Sequence, residues 1–301
     1  MYLYFYHSLN MKSKGLLSTS VRHVEILKVS ENRSATFLDD VSVEEPLEIR
    51  ILYHDGIARI NKNISVTMRT PGNDSELAAG FLFTEGIISA YGQIKNIENP
   101  QSECSVSSKN IVTVELHDDF VPKLMNAERN FYTTSSCGVC GKGSIDSIRT
   151  VSSFQNRKKE DQNIRLDVIY DLSEKLRSFQ NNFSATGGIH ASGLFDSAGN
   201  LLALREDVGR HNALDKLIGY ALSSNLLPLN DHILLLSGRA SFELIQKAAM
   251  AGITVVAAIG APSSLAVDLA KEFDITLFGF LRGNRFNIYN MGNHFKIENL
   301  L

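Results

Sequence analysis

Cysteine, net charge and long apolar runs are all scarce in this sequence. Only three of its 301 residues are cysteine, an odd number with no disulfide spacing. A stapled secreted fold is thereby disfavoured, and a reducing, cytoplasmic setting is expected. The 30 Lys and Arg are nearly balanced by 33 Asp and Glu, leaving a net charge of −3. Bulk nucleic-acid binding needs a basic field, so any anion site here must be local. The apolar start MYLYFY has no basic segment before it and no small-residue cleavage pattern after it. It reads neither as a signal peptide nor as a span, being far too short to cross a bilayer.

What is present is ordinary globular material, 44% hydrophobic and 21% charged, long enough for one large domain or two modest ones. Residues 21–70 alternate apolar and polar side chains and read as strands. PLEIRIL from Pro46 and IARINKNISVTM form a hairpin about the His54-Asp55-Gly56 turn. Asn73 is placed to cap a following helix with Glu76 as its reciprocal partner, and Gly86 to stop it. NIVTVEL, 110–116, is a further strand. The polar, charged run 155–163 reads as a connector, with the boundary between two units there. Beyond it, Ile169, Leu172, Leu176 and Phe179 mark an amphipathic helix. Two strands about an Asp196–Asn200 turn follow, then a second helical stripe from Leu214 to Leu222. ILLLS (233–237), TVVAAI (254–259) and TLFGFL (276–281) are continuous apolar runs separated by helical segments. That pattern indicates a sheet covered on both faces, a three-layer α/β/α sandwich. The division expected is an extension over 1–20, a β-rich unit over 21–130, a loop over 131–144, a linker over 145–165 and the sandwich over 166–301.

Two of the cysteines, Cys137 and Cys140, sit in FYTTSSCGVCGKGS, residues 131–144. Glycine removes side-chain bulk and permits positive φ, so the loop can bring backbone N–H groups to sulfur. Neighbouring hydroxyls and Lys142 favour the thiolate, the nucleophilic form. The reading is a reactive sulfur on a tether. Structural zinc lacks a second ligand pair, since only Cys104 remains. A thioredoxin-like redox motif, which belongs at a strand-to-helix junction, stays open as an alternative.

In a sheet of this kind ligands collect where strand C-termini meet helix N-termini. Ser237–Ser241, Gly260–Ser264 and Phe280–Arg285 all leave apolar strands, and the first and third carry arginine. Arginine forks match phosphate oxygens two at a time. None of the three is a P-loop or dinucleotide fingerprint, which disfavours ATP and NAD. The polar run Arg205–Asn212 reads either as a helix cap with salt bridges or as a wall aiming Arg210 and His211 at the same edge. His190 reads as a core histidine.

These stretches together resemble the FdhD/NarQ family, sulfurtransferases that serve formate dehydrogenase. The resemblance runs through EEPLEIR, ISVTMRTPGNDSELAAGFLFTEGII, FYTTSSCGVCGKGSID, TGGIHASGLFD, REDVGRHNALDKLIG, LSGRASFELIQKA, APSSLAVDLA and GFLRGNRFNIY. It implies a persulfide carrier that takes sulfur from a cysteine desulfurase onto Cys137, with Cys140 as the second sulfur. The sulfur would pass to molybdenum or tungsten in a bis(molybdopterin guanine dinucleotide) cofactor destined for formate dehydrogenase. The resemblance assigns cofactor binding to Phe280, Leu281, Arg282, Gly283, Asn284 and Arg285, with GDP as a mimic. It further implies a homodimer and a cytidine-deaminase-like second unit. Zinc deaminases carry Pro-Cys-x-x-Cys at one helix start. The comparable start here is Gly238-Arg239-Ala240-Ser241, so the metal ligands are missing and no resident metal is expected. A chaperone that only holds the cofactor is the rival reading.

Overall fold

A computed structural model of the protein describes residues 20–99, 110–124, 154 and 161–299. Strands β1 (Val21–Ser30) and β2 (Arg33–Ser42) pair in antiparallel register along their whole length as an isolated ribbon. Leu27, Val29 and Leu38 on this ribbon are exposed. Its base is tied down by the Ser20 hydroxyl, which donates to Asn182 at 3.0 Å, and by Ser42 and Thr186 at 2.7 Å.

β3 (Glu45–His54) and β4 (Arg59–Arg69) form the expected hairpin. The Asp55 carboxylate accepts from the Ile57 and Ala58 amides at 2.8 Å each, which closes the turn. Along β3, Leu47, Ile49 and Ile51 point inward and the residues between them are half-buried, as the period of two demands. Helix α1 (Asp74–Thr84) follows, then β5 (Ile94–Glu98) and β6 (Ile111–Leu116). The four strands make a sheet in the order β4-β3-β6-β5. β5 is short and mostly polar, IKNIE, and carries no strand periodicity.

The expected capping box at α1 is absent. Asn73 stands at the N-cap with φ 58° and ψ 30°, and its side chain makes no capping bond. Capping requires a roughly extended N-cap residue, from which the side chain folds back over the first turn. Left-handed backbone turns it away. Glu76 is instead drawn across to Arg205, whose Nη2 donates to it at 2.7 Å.

The remainder comprises β7 (Gln162–Arg165), α2 (Leu166–Phe179), α3 (Asn181–Thr186), β8 (His190–Phe195), β9 (Leu201–Asp207) and α4 (Arg210–Ser223). After these come β10 (Ile233–Leu236), α5 (Phe242–Met250), β11 (Val255–Ala258), α6 (Ser264–Glu272), β12 (Thr276–Arg282), β13 (Arg285–Asn290) and β14 (Phe295–Glu298). β7 begins inside the polar run read as a connector and pairs in parallel with β14. The large sheet has the order β13-β12-β11-β10-β8-β9, with β10, β11 and β12 parallel and the other neighbours antiparallel.

One face of that sheet buries Phe195, Leu235 and Phe278 against Ile169, Leu172 and Leu176 of α2. Phe179, expected on the same stripe, is 58% exposed because α2 ends there. The other face buries Leu234, Leu236 and Val256 in a cluster that also holds residues of α4, α5, α6 and the four-stranded sheet. Helices therefore cover both faces, and the architecture is mixed α/β.

The two sheets meet through α1 and α4, whose backbones touch. A Cβ at Gly80 would lie 1.9 Å from the Asp215 carbonyl oxygen, and one at Gly219 would lie 1.9 Å from that of Glu76. Charges are buried along this seam in pairs. Arg69 donates twice to Asp74 at 2.9 Å, and the Lys216 ammonium lies 2.7 Å from Asp207. Lys247 reaches both Asp215 oxygens, at 3.0 and 2.9 Å, and the Thr84 hydroxyl at 2.8 Å. Burial pushes the Asp215 carboxyl up, against the pull of Lys247. Burial would also lower Lys247, but Asp215 and Glu85 together outweigh it and raise the ammonium.

Candidate functional site

The carboxyl ends of β10, β11 and β12 lie side by side and are stitched by main chain beyond the last ladder pairs. The Gly260 amide donates to Gly238 at 3.0 Å, the Ser263 amide to Ala240 at 2.9 Å and the Phe280 amide to Gly260 at 3.1 Å. This edge is where the sequence places an anion site. Two of the three turns behave as expected, opening α5 and α6. Ser263 caps α6 by accepting from the Ala266 amide at 3.2 Å. Each helix start offers unpaired N–H groups, which favour negative charge.

The third turn is corrected by the structure. Phe280–Arg285 opens no helix; β12 folds back into β13, with Arg282 directly opposite Arg285. Gly283 takes φ 53° at the first of two loop positions, where hairpins favour glycine. The two guanidinium groups thus project from facing positions at the rim of the sheet, without a helix dipole beside them. Phe280 sits in a bulge with φ 55° and is 46% exposed, whereas Leu281 beside it is fully buried. A bulky residue at positive φ is a backbone outlier costing about 1–3 kcal/mol.

On the other side of β10 the first turn of α4 contributes Arg210 and His211. Asp207 fixes the start of this helix from a fully buried position. It accepts from the Thr70 amide at 3.1 Å, the Gly209 amide at 2.8 Å and Asn212 at 3.2 Å, besides pairing with Lys216. Burial pushes its carboxyl up and Lys216 pulls it back. The run Arg205–Asn212 therefore divides. Arg205 and Glu206 are structural, Glu206 accepting from the Asn182 and Phe183 amides at 3.0 Å. Arg210 and His211 reach the edge.

His211 Nε2 lies 2.8 Å from Glu243 Oε2 and 3.4 Å from the Ser241 hydroxyl, bridging the starts of α4 and α5. His190 packs against Gly238, where an added Cβ would stand 3.2 Å from the ring Nδ1. Burial first, then Arg210 and His211, hold the His190 imidazole below its usual range, with Asp207 pulling weakly the other way. It is a half-buried histidine at the site's wall rather than a core residue. Glu243 was missed in the sequence, where a glutamate in the first turn of a helix reads only as a dipole partner. Its pairing with His211, thirty-two positions upstream, leaves no local signal.

Cys137 and Cys140, the expected sulfur-bearing pair, lie outside the described residues, as does Cys104. Among the described residues no group of three or more His, Cys, Asp or Glu side chains is arranged to hold a metal ion.

Known proteins bear on this geometry in two ways. The FdhD/NarQ family profile matches residues 43–296. A protein of Streptomyces avermitilis named "Sulfur carrier protein FdhD" is 46% identical over 272 residues, 90% of this chain and 93% of that protein. One of the same name from Mycolicibacterium paratuberculosis is 50% identical over 249 residues, 82% of this chain and 88% of that protein. A crystal structure from Desulfotalea psychrophila, described as a candidate formate dehydrogenase accessory protein, superposes with a TM-score of 0.67. It is 22% identical and covers 92% of this chain and 100% of its own, a likeness of fold.

Proposed function

The chain belongs to the FdhD/NarQ family, and from that premise we propose that it carries sulfur, as a cysteine persulfide, to a molybdenum or tungsten cofactor used by formate dehydrogenase. The observation that carries the proposal is that the family match, residues 43–296, spans the stretch that holds Cys137 and Cys140. The names of the relatives add the role of sulfur carrier.

The Cys137 thiolate attacks the outer sulfur of a persulfide on a cysteine desulfurase. The donor leaves as a thiolate and Cys137 becomes a persulfide. Releasing the outer sulfur as sulfide takes two electrons. They come from the reduced acceptor, or from Cys140, whose thiolate attacks the inner sulfur to form a Cys137–Cys140 disulfide as sulfide departs. In the second route an external thiol must reduce that disulfide before the next cycle.

The acceptor in this reading is the bis(molybdopterin guanine dinucleotide) cofactor, held as substrate at the sheet edge. Arg282 and Arg285 would meet its phosphates, with Arg239 and the starts of α5 and α6 in support. The exposed Phe280 ring offers a face to one of its planar rings. GDP serves as a mimic. The sheet order and the alternation of helices support the likeness to the cytidine-deaminase fold. The proposal extends to a cytoplasmic homodimer. None of the helices among the described residues is long and apolar enough to cross a membrane.

The test is chemical. Incubation with a cysteine desulfurase and cysteine should add one sulfur atom to Cys137, seen by mass spectrometry. Cys137→Ala should lose both the adduct and formate dehydrogenase maturation while folding normally. An unmodified wild-type chain would leave a protein that only holds the cofactor.

A further inference from the structure

We propose that Glu243 is a specificity-determining residue of the nucleotide site, accepting a hydrogen bond from a ring N–H of the ligand's base. The inference rests on the cofactor reading above and adds the residue that would tell one base from another.

It starts from an imbalance. Glu243 Oε2 is engaged by His211, but Oε1 is buried and has no hydrogen-bond partner among the described residues. A buried carboxylate oxygen left unpaired costs about 1–3 kcal/mol, and more when charged. Such orphans are rare in folded proteins and ask for a donor. A second orphan lies on the same sheet face. The Ser192 hydroxyl is buried without a partner, the residue being 1% exposed. Ser192 is two positions along β8 from His190, so both side chains leave the sheet on one side.

The surroundings decide what kind of donor fits. Two helix starts and Arg210 make the place positive, and Arg239 stands exposed on the adjoining turn. A metal ion or an ammonium group would be repelled there. Phosphate placed directly against Glu243 would be repelled by the carboxylate itself. A neutral N–H satisfies both constraints. Guanine carries one at the ring position where adenine has a bare acceptor nitrogen, and that difference a carboxylate can read. β10, from which α5 springs, is separated from β12 by one intervening strand. Two strand spacings are about 10 Å, enough to set a base at Glu243 while its phosphates reach toward Arg239 and the Arg282–Arg285 pair.

Calorimetric titration of the full chain with GDP, IDP, ADP and inorganic pyrophosphate tests this. Wild-type protein should prefer GDP and IDP to ADP by about tenfold or more, as one lost hydrogen bond to a charged group implies. Glu243→Gln should bring that ratio close to one while leaving pyrophosphate affinity unchanged. Glu243→Asp keeps the charge but withdraws the oxygen, and should lower the ratio too. Arg282→Ala with Arg285→Ala should weaken all ligands alike and preserve the ratio. A collapsed site would weaken every ligand, so a change in ratio reports contact with the base. Full discrimination retained in Glu243→Gln, or no discrimination in wild type, overturns the inference while the cofactor reading stands. Failure of wild type to bind any of the four overturns both.

Discussion

His190 shows how one side chain records the electrostatics of the whole edge. Burial first, then the charges of Arg210 and His211, push the proton off its imidazole, and Asp207 weakly favours it. The folded protein therefore binds fewer protons than the unfolded chain in the range from 6.5 downward to the depressed folded value. Stability rises with pH wherever the unfolded state binds more protons. The contribution of His190 is thus full above about pH 6.5, the unperturbed value, and is lost as pH falls through the folded value. Urea midpoints measured between pH 5 and 8 should fall on acidification. His190→Gln should flatten that part of the profile; an unchanged slope would remove His190 from the account. At this scale the sequence was legible where chemistry is carried by residue type. Arg282 and Arg285 stand out as candidates because forked cations three apart around a glycine suit phosphate. Glu243 could not, since its meaning lies in a contact that only the folded chain makes.

At the scale of elements, the crossing of α1 and α4 invites a test in which two familiar effects oppose each other. Glycine to alanine within a helix ordinarily stabilises by about 1 kcal/mol. At Gly80 the added carbon would meet a carbonyl oxygen 1.9 Å away, and that oxygen belongs to backbone that cannot swing aside. Prising packed elements apart costs about 1–3 kcal/mol or more, so the steric term wins. Gly80→Ala should lower the urea midpoint, and a raised midpoint would mean the helices do not touch. The fully buried strands β10, β11 and β12 were legible because four or more consecutive apolar residues bounded by turns have few other uses. β13 was not, because Arg282-Gly283-Asn284-Arg285 also reads as a strand-to-helix junction. The Gly-Asn pair is equally a two-residue hairpin loop, and the alternation in RFNIYN settles the matter. The capping box at Asn73 failed for the same kind of reason. Residue types can be right while the backbone they sit on is left-handed.

For the molecule as a whole, the apolar cluster on one face of the large sheet is continuous with the core of the four-stranded sheet. The seam between them is further held by buried pairs such as Lys247 with Asp215, and breaking one such pair by removing a partner costs about 3–5 kcal/mol. Two sheets joined in this way should not unfold separately. A calorimetric scan is expected to show one transition, with calorimetric and van't Hoff enthalpies in agreement. Two resolved transitions would show that the halves are energetically independent. Charge and composition foretold a globular chain, and the periodicity foretold helices on both faces of a sheet. How the two sheets are welded together was invisible, since the two glycines that permit it stand 139 positions apart in the chain.

Phe280 carries a consequence for anyone who breeds this protein for heat tolerance. Relaxing its left-handed backbone with Phe280→Gly would recover some of the roughly 1–2 kcal/mol that such a conformation costs an L-residue, and the ring it removes is half in solvent. Screens that reward survival alone will be drawn to this position and return sturdier molecules stripped of the ring proposed above to meet the cofactor. Libraries built on this chain should therefore hold it constant, or select for ligand capture at the same time.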